Sequence, residues 1–264
     1  MLGPMTRLAL WLAVLGGCGR LGFGEHAGSD GAADAPGPDA ECHVPAGLQS
    51  GLVGWWKLDE TSGTIATDSA AGNDGLLLGG ATHVTGHLGG AVQLDGVTGR
   101  VAVGGSVAYA THGAAFSFSA WVDLADWSVM EPDIMQIQTD GATSPFHVLL
   151  SDSSSWDGIS TGDGDGSWIP LRTGAEPSTG VWHHVAVVYD GGGATELASF
   201  AFYLDAVAQP LAQASPYATQ TNTTQIGAAE DPENYFAGAI DDVRIYDRAL
   251  SAAEVAELYA LTCD

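Results

Sequence analysis

Positive charge is nearly missing from this chain. Its 264 residues carry seven Lys and Arg side chains, with Lys57 the single lysine, against 32 Asp and Glu, for a formal net charge of -25. A surface of that sign repels phosphate backbones and anionic headgroups, which excludes nucleic acid as a partner and any electrostatic hold on a membrane. Long apolar runs are missing too: the longest, near the N-terminus, is about ten residues, half of the roughly twenty that cross a bilayer core. Cysteine occurs three times, as Cys18, Cys42 and Cys263. What is abundant is glycine, 37 residues, in a chain that is 45% hydrophobic and 15% charged. Such a chain buries a core and turns often, and its length suits one large all-β domain with a leader and a tether.

Residues Arg7 to Cys18 read Arg-Leu-Ala-Leu-Trp-Leu-Ala-Val-Leu-Gly-Gly-Cys: a positive charge, a short apolar run, then small residues before a cysteine. That is the pattern of an export signal, for which Met5 is a more typical start than Met1. Leu15-Gly16-Gly17-Cys18 resembles the lipobox of bacterial lipoproteins, which implies cleavage after residue 17 and lipidation of Cys18. An ordinary secretory signal with a chance cysteine is the alternative. By the same resemblance, Gly19 favours the outer membrane of the cell envelope, so the membrane is met only through the lipid anchor. Residues 18–41 are rich in Gly, Ala, Asp and Pro and cannot pack; as a flexible coil they span on the order of 25 Å. Residues 42–264 form the expected folded body, bracketed by Cys42 and Cys263, which look like a disulfide pair. Two free thiols or a metal pair are the alternatives, and both lack supporting ligands at suitable spacing.

After Gly47 short alternating or apolar runs are separated by Gly, Asp, Asn and Pro, the spacing of a sandwich. Strands are expected at Leu52–Leu58, Ala91–Leu94, Arg100–Val103, Phe116–Leu124, Asp133–Gln138, Phe146–Leu150, Trp182–Tyr189, Phe200–Leu204, Thr224–Ile226 and Ala237–Tyr246. In the fourth, the period of two puts Phe116, Phe118, Ala120 and Val122 on one face and Trp121 on the other. One helix is expected at the C-terminal end, where Ser251-Ala252-Ala253-Glu254 forms a capping box and Val255, Leu258 and Tyr259 an apolar stripe.

Six segments carry a resemblance in order along residues 48 to 261. They are Gly51 to Gly63 with its Trp55-Trp56-Lys57-Leu58-Asp59-Glu60 centre, Gly90 to Gly96, Phe116 to Val122, Trp182 to Asp190, Tyr203-Leu204-Asp205, and Phe236 to Ser251. Together they resemble the laminin-G-like branch of the concanavalin-A-like lectin and glucanase superfamily. The resemblance implies an all-β fold: a jelly-roll sandwich of two antiparallel sheets with a short C-terminal helix.

It also implies that the first and last strands lie side by side, bringing Asp59, Asp68, Asn73 and Asp74 toward Asp241 and Asp242. Hard oxygen donors gathered there suit a structural calcium, which many relatives carry. The alternative is that Asp59 and Asp68 cap turns while Asp242 pairs with Arg244 or Arg100. Asp163-Gly164-Asp165-Gly166 lacks a distal acidic ligand and reads as a turn. His183 and His184 are adjacent in a strand, point to opposite faces and cannot share one metal; one of them is expected to be buried.

The resemblance further implies that glucanase chemistry would need a Glu-x-Asp-x-x-Glu strand, and no such segment occurs, so a glycoside hydrolase is the least favoured reading. A non-catalytic module that binds carbohydrate, or an extracellular or envelope protein, is expected. A structural envelope lipoprotein with the sandwich as spacer or assembly partner is the alternative. Trp156, Trp168, Tyr217 and Tyr235 stand in polar, Gly-rich surroundings and are the candidate ligand-stacking residues, each with packing against its own loop as the other reading. Trp55, Trp121 and Trp182 fall in strand patterns and are expected to pack.

Overall fold

The computed structural model describes residues 43–104, 114–126, 133–137, 146–149, 157–161, 170–172, 177–192, 197–213, 224–228 and 235–263. The strands of the first third are β1 (Leu52–Trp56), β2 (Ile65–Ala66), β3 (Gly75–Leu78), β4 (Thr82–Thr85), β5 (Gly90–Asp95) and β6 (Arg100–Val103). They are followed by β7 (Phe116–Leu124), β8 (Asp133–Ile137), β9 (Phe146–Leu149), β10 (Asp157–Thr161), β11 (Pro170–Arg172) and β12 (Trp182–Tyr189). The last are β13 (Phe200–Leu204), β14 (Val207–Gln209), β15 (Leu211–Gln213), β16 (Thr224–Ile226) and β17 (Ala237–Tyr246), with helix α1 (Ala252–Tyr259) at the end. A 3-10 turn covers Ala46–Gln49 before β1.

Two antiparallel sheets result. One runs β14-β13-β12-β7-β17-β5-β4, with β1 beside the second half of β17; the other runs β15-β11-β10-β9-β8-β16-β6-β3-β2. The chain alternates between sheets, as a jelly roll does, so strands far apart in sequence become neighbours. β7 shows why the stack forms. Phe116, Phe118, Ala120 and Val122 face the space between the sheets together with Val185, Val187, Phe202, Ile240 and Ile245. Trp121 faces the other way, as the alternation predicts, into a second apolar layer with Ala186, Val188 and Tyr246.

That second layer is closed by α1 and the 3-10 turn, through Val255, Leu258, Leu48 and Val44. Ser251 caps α1 as its sequence predicts: its hydroxyl accepts from the Glu254 N–H at 3.3 Å, and the Glu254 carboxylate accepts from the Ser251 N–H at 2.8 Å. Arg248 meets the same carboxylate at 2.6 Å. The Arg248 contact first, then the bonds from Ser251, hold the Glu254 carboxyl down at about 2 despite partial burial. Burial on both faces explains why β7 and β17 are buried almost throughout, Ser117 and Ser119 included.

Six expected strands match residue for residue, and β1 stops two residues early, because Leu58 has φ +62 and turns the chain while keeping its side chain fully buried. The bend aims Asp59 at the β4–β5 hairpin, where its Oδ1 accepts from the Gly90 N–H at 2.7 Å. Among the described residues no helix is long and apolar enough to cross a membrane.

Candidate functional site

The six aspartate and asparagine positions expected to share a cation fall into two neighbourhoods. The first is the loop between β2 and β3. Asp68 is buried there, and its carboxylate accepts from the N–H groups of Trp55 (2.8 Å), Ala70 (2.9 Å), Ala71 (3.3 Å) and Asn73 (3.0 Å), with the Asn73 side-chain amide at 3.3 Å. Asp74 accepts from the Asp68 N–H at 2.9 Å. Burial works to raise the Asp68 carboxyl, but the four backbone donors outweigh it and hold it below the usual carboxylate range. Asp68 is a turn-closing residue whose oxygens are taken, which is the alternative the sequence left open.

The second neighbourhood lies on the outer face of the first sheet. β17 carries a bulge between Asp241 and Arg244, with Asp242 at φ +49 as the extra residue. The bulge sets Asp242 where its Oδ1 takes the Trp55 indole N–H at 2.7 Å and the Arg244 guanidinium at 3.0 Å, through Nε and a terminal nitrogen. Arg244 is fully buried and lies 4.5 Å from the Trp55 ring centre, with Lys57 at 4.6 Å from it as well. Asp242 therefore pairs with Arg244, again the alternative reading.

Asp241 is also fully buried. One of its oxygens accepts from the N–H groups of His87 and Leu88, both at 2.8 Å, and Oδ1 has no partner. Burial first, then the charge of Asp242, with a smaller contribution from Asp59, pushes its carboxyl well up against those two donors. Burial and the same neighbouring charge raise Asp59. Only glycine fits opposite: a Cβ at Gly86 would fall 2.6 Å from Asp241 Oδ2 and 2.1 Å from the Gly90 carbonyl. Asp59, Asp241 and Asp242 are thus electrostatic neighbours, while Asp68, Asn73 and Asp74 belong to the separate loop. Among the described residues no group of three or more His, Cys, Asp or Glu is assembled to hold a metal ion.

His184 lies in the row of Asp241 and Trp121, at 1% exposure, its Nε2 3.0 Å from the Ser119 hydroxyl. Burial drives its imidazole down to about 4. Trp121 is stacked between His87, at 3.6 Å between ring centres, and Tyr259 of α1, at 5.5 Å. His183 faces elsewhere: Nε2 is 2.9 Å from the Ser178 hydroxyl and Nδ1 2.8 Å from Asp205. The order Ser, His, Asp is that of a hydrolytic relay, and no linear motif announces it. The hairpin register, which sets Val185 against Leu204, was the signal that could have found it. Ser178 stands on an exposed loop, and the second Asp205 oxygen accepts from the His184 N–H at 2.9 Å. The relay pins the β13–β14 turn, where Asp205 and Ala206 both have positive φ, to β12.

Of the aromatic candidates, Tyr235 is half-buried just before β17, with its hydroxyl 3.5 Å from Arg100. Trp156, Trp168 and Tyr217 lie outside the described residues, as do Cys18, Cys42 and the Asp163–Gly166 stretch. Cys263 is disulfide-bonded. Trp121 is buried, and Trp55 and Trp182 are half-buried against the outer apolar layer, as expected of packing residues.

A laminin-G family model described as the concanavalin A-like lectin/glucanases superfamily matches residues 90–256, more than half of the chain. The chain belongs to this superfamily. A sequence search of curated proteins finds no match. Among solved structures, the Trypanosoma rangeli sialidase in complex with sialic acid aligns over 82% of this superfamily member at 16% identity and TM-score 0.56. The match takes in 33% of the sialidase, so the chain spans about a third of that enzyme's length. At this identity the likeness shows a shared fold. Domain 4 of AbnA, a GH43 extracellular arabinanase from Geobacillus stearothermophilus in complex with arabinotriose, aligns over 79% of this chain and 98% of its own, at 19% identity and TM-score 0.51. The binding domain of Paraclostridial Mosquitocidal Protein 1 aligns over 80% of this chain and 52% of its own, at 15% identity and TM-score 0.51.

Proposed function

We propose that the chain is an exported module, held to the bacterial envelope by a lipid on Cys18, whose sandwich binds carbohydrate. The observation that carries this reading is the overlap with domain 4 of the arabinanase, 98% of which aligns with 79% of this chain, in a complex with arabinotriose. A sandwich fixed by two apolar layers gives a rigid platform, and ligand contacts fall to its loops, with Tyr235, Trp156, Trp168 and Tyr217 as the stacking residues. An extracellular or envelope protein is the second ligand class that such a platform serves.

A glycan array followed by calorimetry tests the reading, with a saturable response to at least one polysaccharide expected. A flat response to polysaccharides together with capture of a stable envelope protein would move the reading to the protein partner. For the anchor, labelled palmitate should enter the chain and be lost in Cys18→Ser. Cys42 is the proposed partner of Cys263, checked by the mass shift of the bridged peptide on reduction.

Calcium belongs to the same proposal. The residue that would ligate it is Asp241, whose buried Oδ1 is orphaned, with the negative charges of Asp59 and Asp242 nearby. A bound cation would neutralise carboxylates that burial now disfavours. Asp68, Asn73 and Asp74 belong to the neighbouring loop, which the Asp68 and Asp74 carboxylates close as acceptors and Asn73 as a donor.

A further inference from the structure

The charge of this chain narrows the sugar it can hold. An acidic sugar, whether sialic acid, uronate or sulfate ester, brings an anion that proteins meet with a guanidinium or ammonium group, most strongly through the two-pronged Arg–carboxylate contact. Only five Lys and Arg residues stand in the folded body: Lys57, Arg100, Arg172, Arg244 and Arg248. The side chains of four are described, and each is committed. Arg244 is fully buried, bound to Asp242 and covered by Trp55. Arg248 is spent on Glu254 and on the carbonyls of Gly47, Ser50 and Ala249. Lys57 lies over the Trp55 ring. Arg100 donates to the Thr98 carbonyl and lies 3.5 Å from the Tyr235 hydroxyl, so the cation nearest the described stacking candidate is already engaged.

Against these stand 27 acidic residues in the same body, 32 in the whole chain less the five before residue 42, with Asp95, Asp190 and Asp247 among those exposed. An approaching anionic glycan meets like charge and finds no free guanidinium among the described side chains. A neutral glycan meets no such barrier, and carboxylates are good acceptors for its hydroxyls.

We infer that the ligand is an uncharged glycan, a neutral pentose or hexose polymer, and that acidic sugars are rejected by the field of the domain. The inference rests on the carbohydrate reading above and sharpens it. It also separates this chain from the sialidase it partly resembles, whose complex holds sialic acid, and sets it with the arabinanase domain, whose complex holds a neutral trisaccharide.

The test uses the full chain in detergent micelles and matched sugar pairs that differ only in charge: lactose against sialyllactose, and neutral gluco- or arabino-oligosaccharides against their uronate counterparts. At about 50 mM salt the neutral member is expected to bind at least about tenfold more tightly, and the gap should shrink severalfold at about 500 mM, where the field is screened within a few ångströms. Equal or tighter binding of an acidic member at low salt overturns the inference while leaving the carbohydrate reading intact. A neutral-to-acidic gap that ignores salt overturns it in the same way, as do acidic sugars gained on adding about 1 mM calcium. Binding of no glycan in either series brings down the carbohydrate reading itself, and the inference with it.

Discussion

Asp68 and Asp241 are both buried aspartates, and their carboxyls are driven in opposite directions. Asp68 sits at the focus of four backbone N–H groups, which repay the cost of burying a charge and hold it ionised. Asp241 receives two such donors, shares its surroundings with Asp242 and Asp59, and keeps one oxygen without a partner. The difference is that between a carboxylate used to close a loop and one left in reserve. Burial is common to both, so burial does not mark a site; the count of donors against neighbouring negative charges does.

The largest effect that would sharpen this contrast lies beside Asp241. Arg244→Ala removes the cation from Asp242 and leaves a buried, unpaired carboxylate, which should cost about 3–5 kcal/mol in denaturant unfolding. A loss under about 1 kcal/mol would mean that Asp242 is solvated or neutral without its partner. Asp68→Ala strips the β2–β3 loop of its acceptor and should cost about 2–3 kcal/mol, since several N–H groups lose their partner at once.

Acid reaches both regions. The folded pKa of Asp68 is depressed, so its contribution is present above its unfolded value of about 3.8 and is lost as pH falls through the lower folded value. His184 works in a higher window. Its imidazole is held near 4 against 6.5 unfolded, so the unfolded chain binds the extra proton between those values. Stability should therefore drop by about 3 kcal/mol from pH 6.5 to pH 4, and His184→Gln should flatten that limb. An unchanged slope in the variant would show that other groups carry the acid response. The smallest effect is Asp241→Asn in the presence of a chelator. A neutral isostere in place of the carboxyl should change the melting temperature by no more than a degree or two, while abolishing any rise on adding calcium, as read by scanning calorimetry.

Strands with clean alternation or dense apolar runs, β6, β7, β12, β13 and β17, could be read from the chain, because burial between sheets leaves a local pattern. The capping box marked the N-terminal start of α1 at Ser251. Short strands at or near the sheet edges were not legible: β4 (Thr82–Thr85) and β14 (Val207–Gln209) are mostly exposed and need no apolar period, and β10 is built from Asp, Gly, Ile, Ser and Thr. The acidic neighbourhoods show another limit. The family resemblance implied that β1 and β17 pair and so drew Asp59, Asp68 and Asp241 into one region, but the sorting between them depends on the bend at Leu58 and the bulge at Asp242. Both are left-handed backbone positions held by non-glycine residues, which carry no mark in the amino-acid string. The Ser178–His183–Asp205 relay was hidden for a similar reason, since its members meet only across a hairpin.

The outer apolar layer has a mechanical consequence. Val44 and Leu48, at the start of the described body, and Leu261 and Cys263, at its end, all join the patch beneath α1. A pull applied upstream of Val44 thus enters the body at the seat of the helix, next to the very stretch where the chain finishes. Such a pull would load this clasp of side chains before the hydrogen-bonded ladders of the sheets.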